Sequence, residues 1–218
     1  TKAGFGVMIM SGITKVTLFI YLSPRMGMMM AFFFMVVVTW LARRATPNKV
    51  DKVFRIGQLI SSAAYSLGHG TNDAQKTMGI IALVLYTGGY LGSTFYIPTW
   101  VILSAHAAIA LGTYSGGWKV VRTLGMKLTH LRPIGGFCAE GAAASLLLGT
   151  ALAGIPVSTT HTIAGAIMGV GSTRRLSAVR WGIAGRIIWA WILTIPASAL
   201  VASFTYYLVE GLRSLFGG

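Results

Sequence analysis

Long apolar stretches are the feature that most restricts how this chain can fold. Four of them approach or reach the roughly 20 residues that a helix needs to cross the hydrocarbon core of a bilayer: 28–42, 96–115, 133–153 and 187–209. Charged residues make up only 10% of the chain, whereas a soluble domain carries about 25%. Because the bilayer core offers backbone groups no water, the pattern predicts an all-α integral membrane protein, a multi-pass helical bundle in the plasma (inner) membrane.

The net charge of +14 is carried by basic clusters that separate the apolar stretches. They lie in three segments, 43–55, 117–132 and 174–186. A nucleic-acid binder would gather such charge into one continuous patch, and this chain does not. Short cytoplasmic loops between membrane helices carry this excess of Lys and Arg. We therefore predict that the three segments are cytoplasmic or interfacial, and that nucleic acid is not a partner.

Smaller signals divide the rest of the chain. We expect an apolar segment over 5–22 that ends at Ser23–Pro24, and an interfacial helix over 117–131 with its apolar residues on one face. Residues 133–153 and 156–171 are rich in small residues and are joined through Gly154–Pro156. They predict a re-entrant helical hairpin.

A polar run, Gly68–Lys76 (GHGTNDAQK), interrupts the apolar stretch 53–88. An ionisable side chain at membrane depth costs about 2.5–3.5 kcal/mol on insertion scales, so such residues are functional candidates. Backbone leaves helical geometry at that depth only where protein or a watery cavity satisfies its polar groups. We therefore predict a broken helix here. The alternative is an ordinary loop between two short helices.

A second polar run, Pro156–His161 (PVSTTH), opens the second arm of the hairpin. The hydroxyl groups of Ser158, Thr159 and Thr160 would converge there with the free N–H groups of a first helical turn. A helix start of this kind favours an anion, because its dipole and its unpaired donors both attract negative charge. The alternative is a capped helix start that carries small residues for packing.

Together, the two polar runs suit a transport site built from half-helices near the bilayer midplane. An oxyanion would meet the helix N-terminus and its hydroxyl groups, whereas Asp73 would repel it unless a cation intervened. A carboxylate beside an anion therefore favours symport, with Na⁺ or H⁺ neutralising the site as it fills.

Four further residues have structural interpretations beside any functional one. Glu140, in an apolar helix, is either a coupling-ion ligand or a buried hydrogen-bond partner. We interpret His161 as a helix-positioning hydrogen-bond partner in preference to a proton relay. Gly165 and Gly169 form a G-x-x-x-G pair, which predicts close helix packing. The remaining histidines share no ligand spacing and no cysteine supports them, so we predict no transition-metal site and no cofactor.

Both polar runs resemble known signatures. Gly70–Lys76 (GTNDAQK) resembles the GANDxxNA signature of the inorganic phosphate transporter (PiT) family, and Pro156–His161 resembles its P-[VI]-S-[ST]-T-H signature. The resemblance covers essentially the whole chain and implies a single transmembrane transporter domain over 1–218. Family members are inverted-repeat symporters in which each half supplies both motifs. Since each motif occurs here once, the resemblance implies one half of such a transporter, the C-terminal part of a longer chain.

The resemblance also implies a function and a set of site residues. The function is symport of inorganic phosphate with Na⁺ or H⁺, without enzymatic activity. The partners would be phosphate and the lipid bilayer, with a homodimer as a further option. The substrate-binding residues would be Asn72, Asp73, Ser158, Thr159 and Thr160. The coupling-ion residues would be Asp73, Gln75, Lys76 and Glu140.

Lys76 is a departure from the signature with two interpretations. It is either an ion partner of Asp73 or an ammonium that stands in for a coupling cation and shifts the protein toward H⁺.

Two alternative functions also remain open. One is a permease for sulfate or another tetrahedral oxyanion. The other is an intramembrane hydrolase using Ser158 with His161, although the chain has no G-x-S-x-G turn.

Overall fold

The computed structural model describes residues 9–216, so the first residues of the predicted segment 5–22 lie outside the described part. That part contains helices and no strand, which confirms the all-α class. The helices are α1 (Met10–Ala42), α2 (Pro47–Thr87), α3 (Thr99–Arg122), α4 (Pro133–Leu152), α5 (Thr159–Ser172) and α6 (Trp181–Phe216), with a π-helix over Thr123–Leu128 and a 3-10 turn over Leu176–Ala178.

Three of the described helices are long and apolar enough to cross a membrane: Met10–Ala42, Pro133–Leu152 and Trp181–Ser214. Helix α3 begins at Thr99, so it covers most of the predicted span 96–115, but it is not among them. The predicted interfacial helix over 117–131 is wrong as a separate element, because α3 runs on through Arg122 and continues as the π-helix.

Helix α1 runs without interruption through Pro24, so the predicted end at Ser23–Pro24 is wrong. A proline inside a helix leaves the carbonyl group four residues earlier without its N–H donor. That carbonyl belongs to Ile20, and the Nδ1 atom of His161 lies 3.4 Å from its oxygen. The neighbouring helix therefore supplies the donor that proline removes.

Helix α2 is also continuous through 68–76, so the prediction of a broken helix is wrong. The polar side chains of this run are satisfied without any loss of helical backbone. Asn72 donates its amide hydrogens to the carbonyl oxygens of Gly68, 2.9 Å away in the same helix, and of Leu147 in α4, 3.2 Å away. The polar run thus binds α2 to α4 instead of ending α2.

The predicted hairpin is present as α4 and α5, joined by a turn in which Gly154 has φ +63° and Pro156 follows. Helix α5 has 14 residues, or about 20 Å of helix, which is short for a hydrocarbon core of about 30 Å. This length fits a re-entrant arm. Nearly all of α5 is buried against α1 and α4.

Glycines allow α5 to lie unusually close to α1. A Cβ atom on Gly165 would overlap the carbonyl oxygen of Pro24, and one on Gly169 would overlap that of Met28. On α1, a Cβ atom on Gly27 would overlap the carbonyl oxygen of Thr162. The G-x-x-x-G pair therefore serves close backbone packing, as predicted, and it holds the start of α5 in a fixed place.

Candidate functional site

One face of α2 carries a row of polar side chains: Tyr65, His69, Asp73 and Lys76. Their spacing of three or four residues places them one above another on the helix surface. The hydroxyl of Tyr65 lies 3.4 Å from Nδ1 of His69, and Nε2 of His69 lies 3.2 Å from Oδ2 of Asp73. The imidazole of His69, one helical turn before Asp73, therefore helps to orient the carboxylate.

Asp73 joins α2 to the start of α5. The hydroxyl of Thr159 donates to Oδ2 of Asp73 at 3.1 Å. Lys76 Nζ lies 3.3 Å from Oδ1 of Asp73 and donates to the carbonyl oxygen of Val157 at 3.0 Å. The side chain of Asp73 is about one-third exposed. The structure thus brings together three predicted site residues, Asp73, Lys76 and Thr159.

The start of α5 keeps backbone donors available. Ser158 is the N-cap: its hydroxyl oxygen accepts the N–H of His161 at 3.4 Å, and its carbonyl oxygen accepts the N–H of Thr162 at 3.0 Å. Among the described residues, the N–H groups of Thr159 and Thr160 have no such partner. A helix N-terminus with two free N–H groups is suited to bind an anion. The Thr160 side chain is exposed next to them.

Asn72 is placed differently from its neighbour Asp73. It is 5% exposed, and its amide nitrogen faces two carbonyl oxygens. Because both partners are acceptors, the NH₂ group and not the amide oxygen must face them. The donors of Asn72 are therefore occupied by helix packing, and only its oxygen is left for a ligand.

Two other predicted coupling-ion residues lie apart from Asp73. Glu140 on α4 contacts Ser61 of α2, with 2.6 Å between Oε2 and Oγ. It sits about two helical turns, or roughly 10 Å, before Leu147, which lies beside Asn72. Gln75 is exposed on α2. The described residues include no group of three or more His, Cys, Asp or Glu side chains that could hold a metal ion.

His161 faces away from Ser158. Its ring stacks on Trp191 with 3.8 Å between ring centroids, and Nδ1 faces the carbonyl oxygen of Ile20. This is the helix-positioning contact that we predicted. It leaves Ser158 without an imidazole base, which disfavours the hydrolase interpretation.

A family profile described as "Phosphate transporter family" matches residues 1–202. The chain belongs to the phosphate transporter family. Together with the apolar helices, membership confirms the prediction of a multi-pass integral membrane protein and is consistent with a bacterial plasma membrane.

Relatives within the phosphate transporter family are similar over most of this chain. A protein of Rhizobium meliloti is 52% identical over 209 residues, which are 96% of this chain and 63% of that protein. A protein of Bacillus subtilis is 37% identical over 208 residues, 95% of this chain and 62% of that protein. Both are named "Probable low-affinity inorganic phosphate transporter", a name for a transporter and not for an enzyme. The chain spans less than two thirds of either relative.

A solved structure, also of a protein named as a phosphate transporter, shares the fold of this chain. It is titled "The sodium-dependent phosphate transporter" and matches with a TM-score of 0.66 and 26% sequence identity. The match covers 90% of this chain and 57% of that protein. The arrangement of helices is therefore that of a phosphate transporter family structure.

Sequence reasoning missed Tyr65, His69 and Ser61 as partners of the predicted site residues. Tyr65 and His69 could have been found, since they precede Asp73 at intervals of four residues in one helix. Treating 68–76 as a break removed that helical spacing from consideration. Ser61 carries no local signal, because its partner Glu140 is distant in sequence.

Proposed function

We propose that this chain is part of a secondary transporter that moves inorganic phosphate across a membrane together with Na⁺ or H⁺. The observation that carries the proposal is the contact between Asp73 of α2 and Thr159 at the start of α5. It places a carboxylate, which attracts cations, directly beside helix N–H groups, which attract anions. The names of the relatives support phosphate as the anion, and the name of the solved structure supports Na⁺.

The start of α5 would bind the phosphate. Its candidate donors are the free N–H groups of Thr159 and Thr160 and the exposed Thr160 hydroxyl. Ser158 would act indirectly, because its hydroxyl oxygen caps the helix and holds the N–H groups in place. Phosphate oxygens suit such donors, which point into the same space at a helix N-terminus.

Asp73 would bind the coupling cation. Its carboxylate is the negative group nearest to the α5 donors, so a cation bound there would remove its repulsion of phosphate. Asn72 would contribute its amide oxygen, since its amide hydrogens already bind Gly68 and Leu147. We therefore reassign Asn72 from the phosphate to the cation. Glu140 remains either a second coupling-ion ligand or the partner of Ser61.

Lys76 decides between two versions of coupling. Its ammonium group lies 3.3 Å from Asp73 and occupies the position of a countercharge. In the first version it is a fixed ion partner, and uptake depends on the same ion after Lys76→Ala. In the second it replaces a coupling cation, and Lys76→Ala makes uptake newly dependent on Na⁺.

The test is uptake of radiolabelled phosphate into proteoliposomes that contain the full-length parent protein. Na⁺ and pH gradients are imposed separately, and sulfate is added as a competitor. We expect Asp73→Asn to abolish gradient-driven uptake and Thr159→Val to reduce it at least tenfold, about the effect of one lost charge-assisted hydrogen bond. Glu210→Gln is the matched control, because it removes a carboxylate that is exposed on α6.

Uptake that survives Asp73→Asn under both gradients would contradict the role of this carboxylate. If folded wild-type protein takes up sulfate but no phosphate, the proposed cargo is wrong and sulfate takes its place. Glu140→Gln in the same assay separates its two interpretations, since a structural residue would leave the ion dependence unchanged.

A further inference from the structure

Basic side chains from two segments that are distant in sequence surround one cavity at the far end of α5 from Asp73. The cavity has a volume of about 290 Å³. Ligand pockets start at roughly this size, about 300 Å³. Its basic lining consists of His130, Arg132, Arg174, Arg175 and Arg180, and no described Asp or Glu residue lines it. We call it the arginine cavity.

Backbone contacts hold the walls of the arginine cavity in place. The N–H of Arg180 donates to the carbonyl oxygen of Leu128 at 3.0 Å, and the Thr129 hydroxyl donates to that of Ala178 at 3.0 Å. Leu128 is fully buried and Val179 is 2% exposed, so both segments are anchored in the core. The arginines are therefore kept together by the fold.

No described carboxylate forms an ion pair with these arginines. In the described part of the chain, their guanidinium groups also make no side-chain hydrogen bond. Like charges around one space repel each other. The positive-inside rule requires them only on one side of the membrane, and not around a common cavity. A cluster of guanidinium groups around one space favours the binding of an anion.

A larger cavity of about 620 Å³ adjoins the arginine cavity and shares Met35, Arg132 and Arg174 with it. Apolar side chains such as Val36, Trp40 and Ile134 form much of its lining, which also holds Arg43 and Asp51. A basic cavity beside an apolar one suits a molecule that has a phosphate group and a hydrocarbon body.

We propose that the arginine cavity binds a phosphoryl anion, for which the adjoining apolar cavity favours the headgroup of an anionic phospholipid over free phosphate. Guanidinium groups match phosphate oxygens with paired hydrogen bonds, which makes Arg better suited than Lys to this role. Basic pockets between membrane helices on the cytoplasmic side are sites of this kind. The cavity is separate from the cargo site, because α5 spans about 20 Å between them.

The test is titration of the purified full-length protein with phosphatidylglycerol, followed by native mass spectrometry, with phosphatidylcholine as the zwitterionic comparison. We expect the triple variant Arg174→Gln, Arg175→Gln, Arg180→Gln to weaken phosphatidylglycerol binding on the order of a hundredfold, or about fivefold per arginine. The matched control is Lys119→Gln, Arg122→Gln, Lys127→Gln, which removes equal charge outside the cavity. It should bind the lipid nearly as wild type does.

A second triple variant, Arg174→Lys, Arg175→Lys, Arg180→Lys, keeps the charge and controls for misfolding of the Gln variant. We expect intermediate binding from it, since paired hydrogen bonds are lost. Inorganic phosphate added to the wild-type titration distinguishes the sources: displacement of the lipid identifies free phosphate as a ligand of the same cavity, and no displacement assigns the cavity to lipid. Equal losses in the Gln variant and its control would overturn the proposal, as would equal binding of both lipids.

Discussion

Asn72 and Asp73 are adjacent in sequence and have different surroundings. Successive side chains on a helix point about 100° apart, so one can face α4 while the next faces the start of α5. Asn72 is buried and bonded to Leu147, whereas Asp73 is partly exposed and bonded to Thr159. One dipeptide therefore fixes the position of α2 and supplies the carboxylate of the candidate site.

We expect Asn72→Asp to lower stability by about 1–3 kcal/mol, because it replaces two donors with a carboxylate facing two carbonyl oxygens. The measurement is the thermal midpoint of unfolding in detergent. Gln75→Glu is the matched control, since it adds the same charge to the same helix at an exposed position. Equal midpoints for the two variants would show that the contacts of Asn72 do not stabilise the protein.

At the scale of helices, the sequence predicts α4 and α5 closely, whereas it does not predict the unbroken courses of α1 and α2. Gly154 and Pro156 mark the hairpin turn locally, so sequence alone located it. Pro24 and Gly68–Lys76 also look like helix ends, but α5 and α4 supply the partners that keep α1 and α2 helical. Such partners come from distant parts of the chain, and local patterns do not contain them.

We expect Gly165→Ala and Gly169→Ala each to destabilise the protein by at least about 1–3 kcal/mol, the usual cost of overpacking. Each added Cβ atom would overlap a backbone oxygen of α1, which cannot move aside as a flexible side chain could. Gly149→Ala on α4 is the control, because its Cβ atom would meet nothing within 4 Å. Thermal unfolding and phosphate uptake of the three variants measure the effect, and a Gly165→Ala protein as stable as the control would contradict it.

At the scale of the whole molecule, arginines of the basic segments lie near the C-terminal end of α5, and the candidate cargo site lies at its N-terminal end. Arg43, Arg132 and Arg174, one from each basic segment, line a single cavity, which is the arrangement that a shared cytoplasmic side requires. The candidate cargo site, by contrast, is open: Thr160 is exposed and the side chain of Asp73 is about one-third exposed. The single copy of each motif predicts that further surfaces complete the site, and this stays a prediction.

We expect the 218-residue chain alone to show no gradient-driven phosphate uptake in proteoliposomes, whereas a full-length parent shows it. The reason is the open site in a chain that spans less than two thirds of its relatives. Orientation and folding are checked by the thermal midpoint and by protease accessibility of the basic segments. Uptake by the chain alone would show that its site is complete, either by itself or in the homodimer left open above.

The unbroken course of α2 has a mechanical consequence. With 41 residues the helix is about 60 Å long, twice the thickness of the hydrocarbon core, so at the usual tilts of membrane helices part of it would lie outside that core. This single helix carries Lys49, Lys52 and Arg55 near its N-terminus and Asp73 further along. A helix broken at 68–76 would flex at the break, and movement of its N-terminal part would not reach Asp73. Because α2 is unbroken, a displacement of its basic N-terminal part would be carried along the helix to Asp73, which contacts Thr159.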